Sequence, residues 1–149
     1  MTEVRPARDA TEVGAALALR HEVFVVEQRV PIEEEIDEHD ETALHLVAVD
    51  GGRVVATCRL VRDGDTVTLG RMAVVASARG RGLASALLAE AETRARADGA
   101  RRIALAAQTG ALGLYERAGY TAYGERFLDA GIEHLMMARP LGGPSARGG

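Results

Sequence analysis

The segment with the clearest chemical potential is Arg79-Gly80-Arg81-Gly82. It lies between a strand-like run, TLGRMAVV, and an apolar helical run, LASALLAEAE. Glycine at a strand-to-helix junction accepts positive φ and lets a ligand approach the backbone closely. A helix N-terminus adds unpaired N–H groups and about half a positive charge, which suits a phosphate. Arg79 and Arg81 bring further donors and charge. Arg79, Gly80, Arg81, Gly82, Leu83 and Ala84 thus form a candidate pyrophosphate cradle, although a lone Gly-x-Gly also fits an ordinary loop.

Two phosphate-binding patterns fail here on context. A dinucleotide fold wants Gly-x-Gly-x-x-Gly after the first strand and an acid ending the next. Gly80, Gly82 and Ser85 come close, but the following strand, RRIALAAQ, ends without an acid. A Walker loop needs Gly-Lys-Ser/Thr, and all 18 basic residues are arginine. The absence of lysine also removes Schiff-base chemistry. The single cysteine, Cys58, allows neither an internal disulfide nor a cysteine-rich zinc site, and no metal is expected.

The chain has 149 residues, one domain's length, of which 47% are hydrophobic and 27% charged, with a formal net charge of -4. That composition excludes a disordered acidic tail and argues against a nucleic-acid partner. With no Trp, three Tyr and two Phe, an aromatic platform for single strands is not expected either. No apolar run approaches the ~20 residues of a membrane span. The opening MTEVRPARDATE lacks the apolar core of a signal peptide, so a cytoplasmic protein is expected.

The elements that must position the turn can be read in order. Residues 1–7 suit a first strand; Asp9, with Glu12 three residues on, suits a capped helix start over about 10–25. Val13, Ala16, Leu17, Arg20 and Phe24 recur at helical spacing. Residues 27–41 have no clean period and read as loop or broken helix. LHLVAVD, RVVATCRLV and TVTLGRMAVV then read as three antiparallel strands, with an Asp63-Gly64 hairpin turn between the second and third. A helix with the stripe Leu83, Leu87, Leu88, Ala91 and Ala95 follows, then a strand, a short helix over about 110–118, and two final strands. The order is β-α-loop-β-β-β-α-β-α-β-β, an α+β fold with a mixed, mostly antiparallel central sheet flanked by helices. Residues 1–140 are expected to form one domain, and the Gly- and Pro-rich residues 141–149 a flexible tail.

Two motifs and this order carry a family resemblance. Arg79-x-x-Gly82-x-Ala84 after a strand resembles the coenzyme A pyrophosphate signature of the Gcn5-related N-acetyltransferases (GNAT), and LYERAGY (114–120) resembles that family's second motif. LRHEVFVVEQRVPIEEEIDEHD, His45-Leu46 and GIEHLMM look like its ElaA-like branch. The resemblance implies the acyl-CoA N-acyltransferase fold and transfer of acetyl from acetyl-CoA to a small amine or peptide, directly in a ternary complex. A binding protein of the same fold, holding acetyl-CoA without turnover, is the alternative, and a nicotinamide oxidoreductase the more distant one. Either a monomer or a homodimer fits.

The resemblance also implies roles. Met72, Ala73 and Val74 would offer the strand edge along which the pantetheine arm pairs, with the Val74 N–H holding the thioester oxygen. Tyr115 matches the tyrosine that protonates the leaving thiolate; a phenol of ordinary pKa about 10 facing a thiol near 8.5 makes that reasonable. Gln108, where many members have Asn, would touch the pantetheine or the Tyr115 helix. The strand position that often carries a catalytic carboxylate holds Arg71, which cannot act as a base. Glu27 and His134 are the leading replacements, with the acids near Asp37 and Asp40, His45, or a water chain as others. Seven of the nine residues from Glu33 to Glu41 are acidic; they read as a solvated loop, or as a field attracting a cationic amine.

Overall fold

The computed structural model describes residues 2–142. Seven strands, β1 (Thr2–Pro6), β2 (Leu44–Asp50), β3 (Arg53–Asp63), β4 (Thr66–Val74), β5 (Arg102–Gln108), β6 (Thr121–Asp129) and β7 (Ile132–Pro140), form one sheet. Their order is β1-β2-β3-β4-β5-β7-β6, antiparallel throughout except for the parallel β4–β5 pair. Helices α1 (Ala10–Arg20), α2 (Ile32–Glu35), α3 (Leu83–Ala97) and α4 (Leu112–Arg117) complete the α+β fold. The α3 stripe of Leu83, Leu87, Leu88, Ala91 and Ala95 is buried in the core with Leu46, Ile103, Leu105 and Met137.

The parallel pair controls the shape of the site. β4 and β5 are in register from Thr66↔Arg102 only as far as Leu69↔Leu105, and beyond that β5 pairs with β7 alone, through Gln108↔His134. β4 stays with β3 but bulges: Arg59 faces Gly70 and Thr57 faces Ala73, so Cys58 opposes both Arg71 and Met72. Arg71 takes φ +53 in that bulge. The two strands therefore part, leaving the β5-side edge of β4 open from Gly70 to Val74.

Three sequence expectations change. Asp9 caps α1 as expected, accepting from the Glu12 N–H at 2.9 Å, but after Arg20 the helix continues to Glu27 as a wider π-helix. This turn holds Val23, Val25 and Val26, β-branched residues with low helix propensity. Leu141, assigned to the tail, is instead buried, and its N–H donates to the Arg101 carbonyl at 2.8 Å. The remaining tail residues, 143–149, lie outside the described residues.

The third change concerns part of the acidic run: Glu33, Glu34, Glu38 and Glu41 are exposed as a solvated loop would have them, while Glu35, Asp37 and Asp40 form a structural lock. It holds α2 and a 3₁₀ turn at Glu38–Glu41. Arg20, 1% exposed, donates from Nε to Glu35 at 2.7 Å and from Nη1 to Asp40 at 2.6 Å. Arg59 donates to both Asp37 oxygens at 2.7 and 2.9 Å and to Asp40 at 2.9 Å. Three of the seven acids are thus matched by cations the sequence places far away. Burial disfavours ionisation of Asp40, yet Arg20 and Arg59 outweigh it and hold its carboxyl well below the usual range; Arg59 does the same for Asp37.

Candidate active site

The glycine turn sits at the open end of the β4–β5 split. Gly80 and Gly82 have φ +80 and +77, and a Cβ at either would meet nothing within 4 Å. Their backbone faces open space, in a conformation costing a non-glycine residue roughly 1–2 kcal/mol. The first N–H bond of α3 runs from Ala86 to Gly82 at 3.0 Å, so the N–H groups of Leu83, Ala84 and Ser85 precede its hydrogen-bonded ladder. Glycine as N-cap supplies no side chain to them. Unclaimed donors, open space and an open strand edge fit the pyrophosphate and arm of coenzyme A.

The turn's two arginines are held by acids. Arg79 donates to Glu27 at 2.7 and 3.1 Å and from Nε to the Val74 carbonyl at 3.0 Å. Arg81 reaches Asp50 at 2.8 Å. The Arg79 guanidinium pulls the Glu27 carboxyl below its ordinary range, which weakens it as a base. Glu27 also lies outside the cleft lining. Glu27, a candidate base in the sequence, is instead the ion-pair partner of Arg79 in the glycine turn.

The Val75 N–H bonds to Val55 on β3 at 2.9 Å. Successive amides of an extended strand point to opposite edges, so the Val74 N–H faces the open side, as does the Val74 carbonyl that Arg79 holds. Met72 borders the cleft, whereas the Ala73 side chain is buried in the core.

The cleft itself has a volume of about 1010 Å³ and spans the split. Met72, Ala84, Gln108, Tyr115 and His134 line it together, with Gln28, Arg71 and Phe127. Gln108 Nε2 donates to Gln28 Oε1 at 3.1 Å, joining β5 to the end of the π-helix. Tyr115 is 7% exposed and meets Tyr120 edge-on, ring centroids 6.1 Å apart. Among the described residues its hydroxyl has no hydrogen-bond partner, and burial, with a smaller contribution from Cys58, raises its pKa. Tyr115 thus keeps its proton near neutrality. Burial likewise raises the Cys58 thiol, leaving an inert core cysteine.

His134 is 9% exposed and stacks on Phe127 at 5.7 Å. Its Nδ1 lies 2.7 Å from the Ile132 carbonyl, which can only accept, so Nδ1 carries the proton and the neutral ring's lone pair sits on Nε2. Nε2 has no partner among the described residues. His45, another possible base, is buried outside the cleft with Nε2 2.9 Å from the Asp40 carbonyl. Asp37 and Asp40 are spent on arginines, so they too drop out as bases.

Sequence reasoning missed the network cations, although Arg20 stood visibly inside an apolar helical stripe. It also missed Gln28, for which no local pattern gave a signal. Among the described residues no group of three His, Cys, Asp or Glu could hold a metal ion, and no helix is long and apolar enough to cross a membrane.

Residues 6–141 match the family described as acetyltransferase (GNAT) domain. The chain is 38% identical over 134 residues to the uncharacterized N-acetyltransferase YjcF of Bacillus subtilis, covering 89% of this chain and 96% of that one. Among solved structures it is similar to an acyl-CoA N-acyltransferase from Pseudomonas aeruginosa, with a TM-score of 0.83 and 32% identity over 93% of this chain and 98% of the other. It is also similar to Escherichia coli ElaA, with a TM-score of 0.81 and 25% identity, again over 93% and 98%. A family match that spans nearly all described strands, over a split sheet with a glycine turn at its mouth, makes the chain a member of the GNAT acetyltransferase family.

Proposed function

We propose that this chain transfers an acetyl group from acetyl-CoA to a primary amine of a small molecule or peptide, directly within a ternary complex. The observation that carries this reading is the parting of β4 from β5 over a cleft where Tyr115 and His134 meet the open strand edge. Bound acetyl-CoA supplies an acyl carbon for the amine, and coenzyme A departs as a thiol.

The chain's residues divide the work. The backbone from Gly80 to Ala84 binds the pyrophosphate, and Arg79 and Arg81 exchange their acidic partners for phosphate oxygens. The edge from Met72 to Val74 orients the pantetheine arm, Gln108 steadies it, and the Val74 N–H faces the oxygen on which charge develops. His134 Nε2 takes the proton that the acceptor ammonium gives up. After the C–N bond forms, the nitrogen loses its second proton to solvent as the C–S bond breaks; Tyr115 delivers its hydroxyl proton to the departing sulfur and regains one from solvent, so one net proton is released.

The test is amine-dependent release of coenzyme A thiol from acetyl-CoA across a pH series, for wild type, His134→Gln and Glu27→Gln. The expected result is a fall of about 10²-fold or more in kcat/KM for His134→Gln with loss of the ascending acid limb, while Glu27→Gln keeps that limb. A His134 variant that keeps both rate and limb refutes the base assignment. Binding of acetyl-CoA without thiol release for any amine would favour a non-catalytic sensor instead.

A further inference from the structure

Arg71 borders the cleft, where the acetyl transfer chemistry gives it no role and the ion-pair lock uses only part of its guanidinium. It stands in the β4 bulge at φ +53, a left-handed conformation costing a non-glycine residue about 1–2 kcal/mol. Arg71 and Met72, which together oppose Cys58 across the bulge, both border the cleft. The Arg71 side chain is 25% exposed.

The guanidinium is only partly used. Nε donates to the Glu35 carbonyl at 3.0 Å and Nη2 to the Glu34 carbonyl at 3.2 Å. Its carboxylate contacts are long, 3.4 Å to Asp37 and 3.8 Å to Glu35, since those acids are already taken by Arg59 and Arg20. Nη1 has no partner among the described residues, so a guanidinium that borders the cleft keeps two N–H donors unused. Burial and the neighbouring cations Arg59 and Arg20 also disfavour the charged form of Arg71, the sign of a site that an anion would relieve.

We propose that Arg71 Nη1 binds a carboxylate of the amine acceptor, which makes the acceptor a compact amino acid in its free-acid form. This rests on the acetyltransferase reading. A single free nitrogen in a cleft also lined by Glu34, Asp63 and Asp129 suits a monoanion better than a phosphate. Arg71 directly precedes the strand edge assigned to the thioester arm, so the anion and the reacting amine must lie close together, as they do in an α-amino acid.

The experiment compares matched acceptors at fixed acetyl-CoA: glycine with glycinamide, methionine with methioninamide, and phenylalanine with phenylalaninamide. Wild type, Arg71→Gln and Arg71→Lys are assayed, with melting curves and acetyl-CoA titration verifying that each variant folds. For accepted pairs, kcat/KM should favour the free acid by about 10-fold or more. Arg71→Gln should erase that preference through KM of the acid, with a clearly smaller loss for the amide, and Arg71→Lys should restore part of it. Equal use of acid and amide by wild type, or an equal loss of both in Arg71→Gln, overturns the assignment while leaving acetyl transfer standing. If no amine is turned over, the acetyltransferase reading fails separately. Titration of N-acetylmethionine against N-acetylmethioninamide, with coenzyme A present, then decides on Arg71: acid-selective binding lost in Arg71→Gln supports it, and indifference sinks it.

Discussion

Replacing Arg20 by Met tests whether the acidic segment is a lock or a solvated loop. Arg20 makes four hydrogen bonds, to the Glu35 carboxylate at 2.7 Å, the Glu35 carbonyl at 2.9 Å and both Asp40 oxygens at 2.6 and 3.1 Å. Methionine fills a similar volume without the charge, leaving the Glu35 carboxylate, 2% exposed, with only the more distant Arg71 at 3.8 Å. Removing one partner of a buried pair costs about 3–5 kcal/mol. For a domain of this size each kcal/mol is worth roughly 2–4 °C, so Tm should fall by about 6–20 °C. Circular dichroism melts at pH 7 give the number, and Arg20→Met combined with Glu35→Gln should recover part of the loss, because no stranded charge is left at Glu35. A fall under about 2 °C would mean that the pairs behave as surface ion pairs worth at most about 1 kcal/mol, and the lock would be refuted.

Two further outcomes follow from the same geometry. Because Asp37 and Asp40 have folded pKa values below the unfolded value of about 3.9, their contribution is fully present above about pH 4 and is lost as pH falls through the folded values; urea midpoints should therefore drop steeply below pH 4, and a flat profile there would contradict the pairing. Tyr115→Phe should lower kcat by about 10²-fold with little change in acetyl-CoA affinity, whereas equal losses in both would reduce Tyr115 to a packing residue against Tyr120.

The succession of strands and helices, the α3 stripe and the glycine turn were readable because each is a local pattern: alternation, helical spacing, or glycine where the chain reverses. What the sequence hid was pairing across distance. Glu33 to Glu41 looked like a solvated run because Arg20 and Arg59 lie far away in the chain, and only the arginine inside the α1 stripe hinted at a buried acid. Glu27 looked available as a base because nothing local revealed that Arg79, 52 residues on, holds it. His134 was visible as a titratable group, but its tautomer depends on the Ile132 carbonyl, set by the β6–β7 turn. Arg71 could be excluded as a base from its chemistry alone; the bulge in which it stands beside the cleft is a register shift between strands, which no single strand encodes.

In the proposed function the turn from Arg79 to Ala84 and the open β4 edge bind acetyl-CoA. Calorimetric titration of the full chain with acetyl-CoA, with NAD as a control ligand, tests it directly. A micromolar Kd, about −8 kcal/mol, is expected for acetyl-CoA alone. That binding should be lost in Gly82→Glu, where a carboxylate opposes the phosphates and φ is unfavourable, while the variant still melts cooperatively. Absence of binding to wild type, or a Gly82→Glu variant that binds unchanged, would contradict it.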